Sequence, residues 1–126
     1  MYMIFKCLIT FILLHIPLIV LALPESSIRD LDCKARGGLV EYRNTDGTYT
    51  DCITDTLAIE YDFAYKWYEC ITQAGHYGLL NNLQPVCILI LKKEDDLRYV
   101  SRSLVFVREY HRKPIVILYI SEYELK

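Results

Sequence analysis

Hydrophobic positions along this chain fall into three rhythms, and each predicts a different kind of element. Residues 8–21 are almost wholly apolar and stand apart from everything after them. Residues 27–36 read as a short first helix, with Lys34 and Arg36 in its last turn and Gly37-Gly38 as its stop. Residues 39–43 and 48–53 read as two strands joined by Asn44-Thr45-Asp46-Gly47, because Asp-Gly accepts the positive φ of a hairpin turn. Thr54-Asp55-Thr56 then turns the chain into a third strand over 57–61. Asp62 is a natural N-cap for a helix over 63–77, whose stripe of Phe63, Trp67, Cys70, Ile71 and Ala74 recurs at three and four residues until Gly78. The unbroken apolar run 86–91 fits a central strand covered on both faces. Asp95 or Asp96 opens a third helix over 97–111, and Pro114 precedes a last strand over 115–120.

The predicted order is therefore α-β-β-β-α-β-α-β. Three meandering strands form an antiparallel part of the sheet, and the fourth, reached through a helix, runs parallel to one of them. The expectation is an α/β chain of the α+β type with one mixed sheet.

The apolar N-terminal run changes the domain count. Lys6 supplies a basic start, and Val20 and Ala22 occupy the minus-three and minus-one positions of a cleavage site. Residues 1–22 thus read as a signal peptide and 23–126 as a single domain, exported to a periplasm or secreted. The alternative is a membrane anchor over residues 7–23, interrupted by His15 and Pro17. Without Lys6 the mature chain has 13 basic and 16 acidic side chains, a formal charge of 13 − 16 = −3. A broad basic surface for nucleic acid is excluded, so any such binding must be local.

Cys33, Cys52, Cys70 and Cys87 remain after cleavage, and none has zinc-type spacing. A Cys33–Cys52 bridge would tie the first helix to the hairpin. Cys70 and Cys87, on a helix face and a strand, read as small buried core residues rather than a second bridge.

Candidate chemistry concentrates between Asp51 and Lys66, where carboxylates on two short strands precede one lysine at the start of a helix. Converging carboxylates repel, and a bound divalent cation relieves them while gripping phosphate oxygens. A lysine alongside suits chemistry that builds charge on phosphorus. The competing readings are ordinary: Asp51 and Glu41 facing water, Asp62 as a helix cap, and Lys66 with Glu69 as an exposed pair. An acid at Glu60, inside Ala-Ile-Glu-Tyr, otherwise has little reason to be there. His76 and His111 read as surface histidines at helix ends. Lys92, Lys93, Arg98, Arg102, Arg108, Arg112 and Lys113 place basic charge in the C-terminal half. Eleven tyrosines suit a half-exposed sheet, with base stacking as an option.

The elements Gly37-Gly38, Glu41-Tyr42, Asp46-Gly47-Thr48, Asp51-Cys52-Ile53-Thr54, the run Ala58-Ile59-Glu60-Tyr61-Asp62-Phe63-Ala64-Tyr65-Lys66-Trp67, and Gln73 carry a resemblance. Together they resemble the PD-(D/E)XK nuclease superfamily, and more closely a group of small bacterial and phage-associated proteins, over roughly residues 33–91. The resemblance implies a restriction-endonuclease-like core and a metal-dependent phosphodiesterase or endonuclease. It matches Asp51 to the metal-binding aspartate of the second core strand and Glu60 to the acidic member of the third. Asp62 stands where the motif has its lysine, so Lys66 on the neighbouring helix takes that place, and Gln73 matches a helix-borne polar residue near the scissile phosphate. Asp51, Glu60 and the Tyr61 carbonyl would hold Mg²⁺ or Mn²⁺, with Glu41 and Asp62 as accessories. DNA is the implied partner, and a homodimer would be needed to cut both strands. The alternatives are a catalytically inactive binding module on the same fold and a membrane-tethered structural module.

Overall fold

The computed structural model describes residues 22–110 and 114–125. Among these, three helices and five strands form an α+β structure around one mixed sheet: α1 Glu25–Ala35, β1 Leu39–Arg43, β2 Tyr49–Ile53, β3 Leu57–Phe63, α2 Trp67–Asn81, β4 Gln84–Leu91, α3 Leu97–Tyr110 and β5 Val116–Ser121. The spatial order of strands is β1-β2-β3-β4-β5. β1, β2 and β3 pair antiparallel, whereas β4 runs parallel to β3 and β5 parallel to β4.

Both parallel connections advance the same way across the sheet, so right-handed crossovers place α2 and α3 on one face. There Cys70, Ile71 and Ala74 of α2 and Val100 of α3 pack on Cys87, Leu89 and Leu91. The opposite face carries α1, whose Ile28 and Cys33 join Cys52, Ile59, Tyr61, Ile88 and Ile90 in a second core. β4 contributes to both, which explains its unbroken apolar run.

The hairpin closes as its residues require. Gly47 has φ +88°, and Asn44 N–H donates to the Thr48 carbonyl at 2.8 Å. The buried Asn44 side chain accepts from Thr50 and from Asn81, tying the turn to the end of α2.

Several expectations need correction. Asp62 does not cap a helix: pairing of Asp62 with Leu89 and of Phe63 with Ile90 extends β3, and a 3₁₀ turn over Ala64–Lys66 precedes α2. Gly78 does not end α2, which runs to Asn81 and stops at Asn82 with φ +52°. The missing side chain at Gly78 instead admits Pro85, since a Cβ there would lie 2.8 Å from the proline ring. His76 consequently sits within α2, where its Nε2 lies 3.0 Å from Oδ2 of Asp46. His111 lies outside the described residues.

Cys33–Cys52 forms a disulfide, and so does Cys70–Cys87, which corrects the reading of the latter pair as free core residues. A helix face and a strand far apart in sequence are brought together by the parallel crossover. Two disulfides suggest an oxidising, exported environment. No helix among the described residues is long and apolar enough to cross a membrane. The expected leader over 1–22 lies outside the described residues except for Ala22.

Gly38 lies against the first bridge: a Cβ there would be 2.6 Å from Sγ of Cys52 and 2.8 Å from Sγ of Cys33. Gly38→Ala should lower unfolding free energy in urea by about 1–3 kcal/mol through overpacking. Unchanged stability would contradict this packing.

Candidate functional site

The site begins where β2 and β3 stop exchanging backbone hydrogen bonds. Cys52 pairs with Ile59 and Ile53 with Ala58, a register that sets Asp51 opposite Glu60. At this level the side chains replace the ladder. Asp51 N–H donates to Oε1 of Glu60 at 3.0 Å, and Tyr61 N–H donates to Oδ2 of Asp51 at 2.9 Å. A strand residue presents its N–H and C=O to the same neighbour, so the Tyr61 carbonyl faces the same gap. On the other side Glu41 and Asp51 drop out of the β1–β2 register, and Glu41 adopts φ +51°, a left-handed conformation costly for a residue with a Cβ.

Further charges converge on this gap. Arg29 Nη1 lies 3.5 Å from Oδ1 of Asp51 and 3.2 Å from Oε1 of Glu41, while its Nε holds Asp30 at 2.8 Å. Lys66 Nζ lies 3.7 Å from Oδ1 of Asp62, which also accepts the Phe63 N–H at 2.9 Å. Glu25, in the first turn of α1, lies within electrostatic reach of the Asp62 carboxyl. Arg29 thus pairs with Asp51 and Lys66 with Asp62, while Glu25 lies within electrostatic reach of Asp62 and Glu60 within reach of both Asp51 and Asp62.

The electrostatic consequence is that burial works against the ionised forms of these carboxyls. Burial first, and then the charge on neighbouring Asp51, push Glu60 far above the usual carboxylate range. Burial also raises Asp51, against the opposing pull of the Tyr61 N–H and Arg29. Burial followed by Glu25 moves Asp62 up to about 7. Glu60 and Asp62 are only 3% and 6% exposed.

Asp51, Glu60 and the Tyr61 backbone are therefore joined by hydrogen bonds, while Lys66 pairs with Asp62, whose charge reaches Glu60. Glu41 is exposed but is joined to Asp51 through Arg29. Gln73 is exposed on α2 and makes no hydrogen bond or ion pair with these residues among those described. The Tyr61 ring leaves the site, its hydroxyl donating to Asp32 at 2.7 Å. Glu25 and Arg29 were not among the expected residues. Their signal was a four-residue spacing on one helix face, hidden because the helix begins two residues earlier than its periodicity predicts. Among the described residues, no group of three or more His, Cys, Asp or Glu side chains is arranged to hold a metal ion.

A cleft of about 320 Å³ opens beside Phe63, at the C-terminal ends of β3 and β4. Lys92, Lys93 and Arg98 line it with Phe63, Tyr65 and Tyr99, and Asp96 is its one carboxylate. The Phe63 and Tyr65 rings stack within 9° of parallel. Lys92 Nζ lies 4.2 Å from the Phe63 ring centre, and the Arg98 guanidinium 4.8 Å from that of Tyr99. Asp96 already accepts the N–H groups of Lys92 and Lys93. A larger cavity of about 830 Å³ lies at the starts of β4 and β5, lined mainly by apolar groups such as Leu79, Leu83, Pro85 and Ile115, away from the carboxyls.

Compared with family models, with curated proteins and with solved structures, the chain matches none.

Raised carboxyl pKa values fix the sign of a pH dependence. Folding disfavours the ionised forms of Glu60 and Asp62, so the stability tied to their protons is complete below the ordinary carboxylate range and is lost as pH rises through neutrality. Without divalent cations, Tm should fall between about pH 5 and about pH 8, and Glu60→Gln should flatten that fall. A Tm that rises across the same window would contradict the electrostatics.

Proposed function

We propose that the protein is an exported Mg²⁺- or Mn²⁺-dependent phosphodiesterase acting on nucleic acid, with DNA as the substrate. The observation that carries this reading is the gap between β2 and β3, where two carboxylates replace the ladder. One oxygen of each is committed to a backbone N–H. Oε2 of Glu60, the Tyr61 carbonyl and Oδ1 of Asp51, which faces Arg29 at 3.5 Å, offer hard oxygen donors of the kind Mg²⁺ accepts while keeping several waters. The donors fit the ion in chemical type, and the raised pKa values of both carboxylates are the cost a cation would remove. The strand arrangement, three antiparallel strands followed by a parallel fourth, supports the restriction-endonuclease-like core that the resemblance implies.

When bound, the cation supplies positive charge that acidifies water and neutralises a phosphate oxygen. The chain's own groups do the rest. Asp51 and Glu60 must both be ionised to present their charges. Lys66, held by Asp62, leans over the end of β3 and stabilises charge developing on the phosphate. Gln73 orients the substrate from α2. The neighbouring cleft receives the flanking strand, with phosphates against Lys92, Lys93 and Arg98 and a base on the aromatic rings. Local cations thus replace the basic surface that the net charge denies.

One observation favours a second reading. The Arg29 guanidinium, with a side chain only 14% exposed, already neutralises Asp51. In a catalytically inactive binding module this pair would stand in for the metal. That module would show no cation-induced rise in Tm.

The deciding experiment incubates the mature protein with single-stranded and plasmid DNA, with Mn²⁺ and with a chelator. Cleavage should require Mn²⁺, Glu60→Ala should reduce it at least about 10²-fold, and Lys66→Ala should lower kcat more than it raises KM. Full activity in Glu60→Ala would refute the site.

A further inference from the structure

The chain just before α1 meets an acceptor that the rest of the fold leaves unsatisfied. Leu23 N donates to Oε1 of Glu122 at 2.8 Å, across 99 residues of sequence. Glu122 is only 8% exposed, and its backbone N–H is fixed to the Leu91 carbonyl at 2.9 Å. Its other carboxylate oxygen, Oε2, is buried with no hydrogen-bond partner. The nearest cation recorded is Lys92 Nζ, 4.0 Å from Oε2. A buried carboxylate with an idle oxygen is unfavourable unless a charged donor reaches it.

A peptide nitrogen is a poor match for such a group, since it offers one neutral donor. An ammonium offers three donors and a full charge. The nitrogen facing Glu122 is the one that becomes an ammonium if the leader is cut where its residues predict, after Ala22. Hydrolysis of the Ala22–Leu23 bond consumes one water. Its oxygen ends on the Ala22 carbonyl carbon, which departs as a carboxylate, and the Leu23 nitrogen keeps its electron pair and takes up protons. Both Ala22 and Leu23 are exposed.

We propose that export processing between Ala22 and Leu23 creates an α-ammonium for which Glu122 is the buried receptor, locking the trimmed N-terminus and helix α1 to the end of β5. Pro24, the N-cap of α1, and Glu25, within electrostatic reach of Asp62, follow directly. The lock therefore also fixes the turn that brings Glu25 to the carboxyl cluster. It stands whether or not the cluster is catalytic.

The test uses the full chain exported with its own leader. Intact mass of the mature protein should place Leu23 first. One glycine inserted between Ala22 and Leu23 returns the Leu23 nitrogen to an amide and should lower Tm by about 4–8 °C. The same insertion in a Glu122→Gln background should leave Tm unchanged. As a readout independent of that variant's folding, folding should slow acetylation of the α-amine, relative to the same protein in urea, more in the native chain than in the glycine-inserted one. A mature N-terminus at another residue, an insertion without effect on Tm, or equal folded-to-urea rate ratios in the two proteins would overturn the proposal.

Discussion

Everything around the candidate site depends on one substitution of bonds: Asp51 and Glu60 satisfy the backbone of the opposite strand with their side chains. A regular ladder would have used carbonyls at no electrostatic cost. Using carboxylates opens the strands and brings two acidic groups into a buried gap, where desolvation works against ionisation of both and the charge of Asp51 adds to the penalty at Glu60. In the function proposed for this site, a bound cation would stabilise both charges.

An arrangement of this kind needs support, and the disulfides bracket it. Cys52 follows Asp51 and is bound to Cys33 of α1, the helix that supplies Arg29 and Glu25. Cys87 pairs in register with Glu60 and is bound to Cys70 of α2, whose Sγ lies 3.6 Å from the Glu60 carbonyl. Each helix that reaches the gap is therefore stapled to a strand within one position of a carboxylate. In a domain of about one hundred residues, crosslinks offset what a small core supplies only in part.

Much of this was legible in the chain. Element type followed period: the hairpin from Asp46-Gly47, β4 from its continuous apolar run, α2 from its stripe at three and four residues. The opposition of Asp51 and Glu60 followed from hairpin spacing and the short turn at Thr54-Asp55-Thr56. Failures arose where a distant partner decided the outcome. Asp62 has the chemistry of a cap, yet pairing with β4 held it in a strand and buried it. Cys70 and Cys87 looked like core residues because nothing local links a helix face to a strand seventeen residues on. Glu25 and Arg29 lay outside or at the edge of the expected helix, and only the packing of α1 on the sheet carries them to the gap. The role of Glu122 depends on a contact between the two ends of the described domain, which no periodicity encodes.

The claim that the two carboxylates form a cation receptor is tested most directly by titration calorimetry of the mature protein with Mn²⁺ near pH 7, in two buffers of different ionisation enthalpy. The account predicts saturable binding of one ion accompanied by proton release, and loss of both when Asp51→Asn and Glu60→Gln are combined. Absence of binding, or equal binding in the double variant, would contradict it.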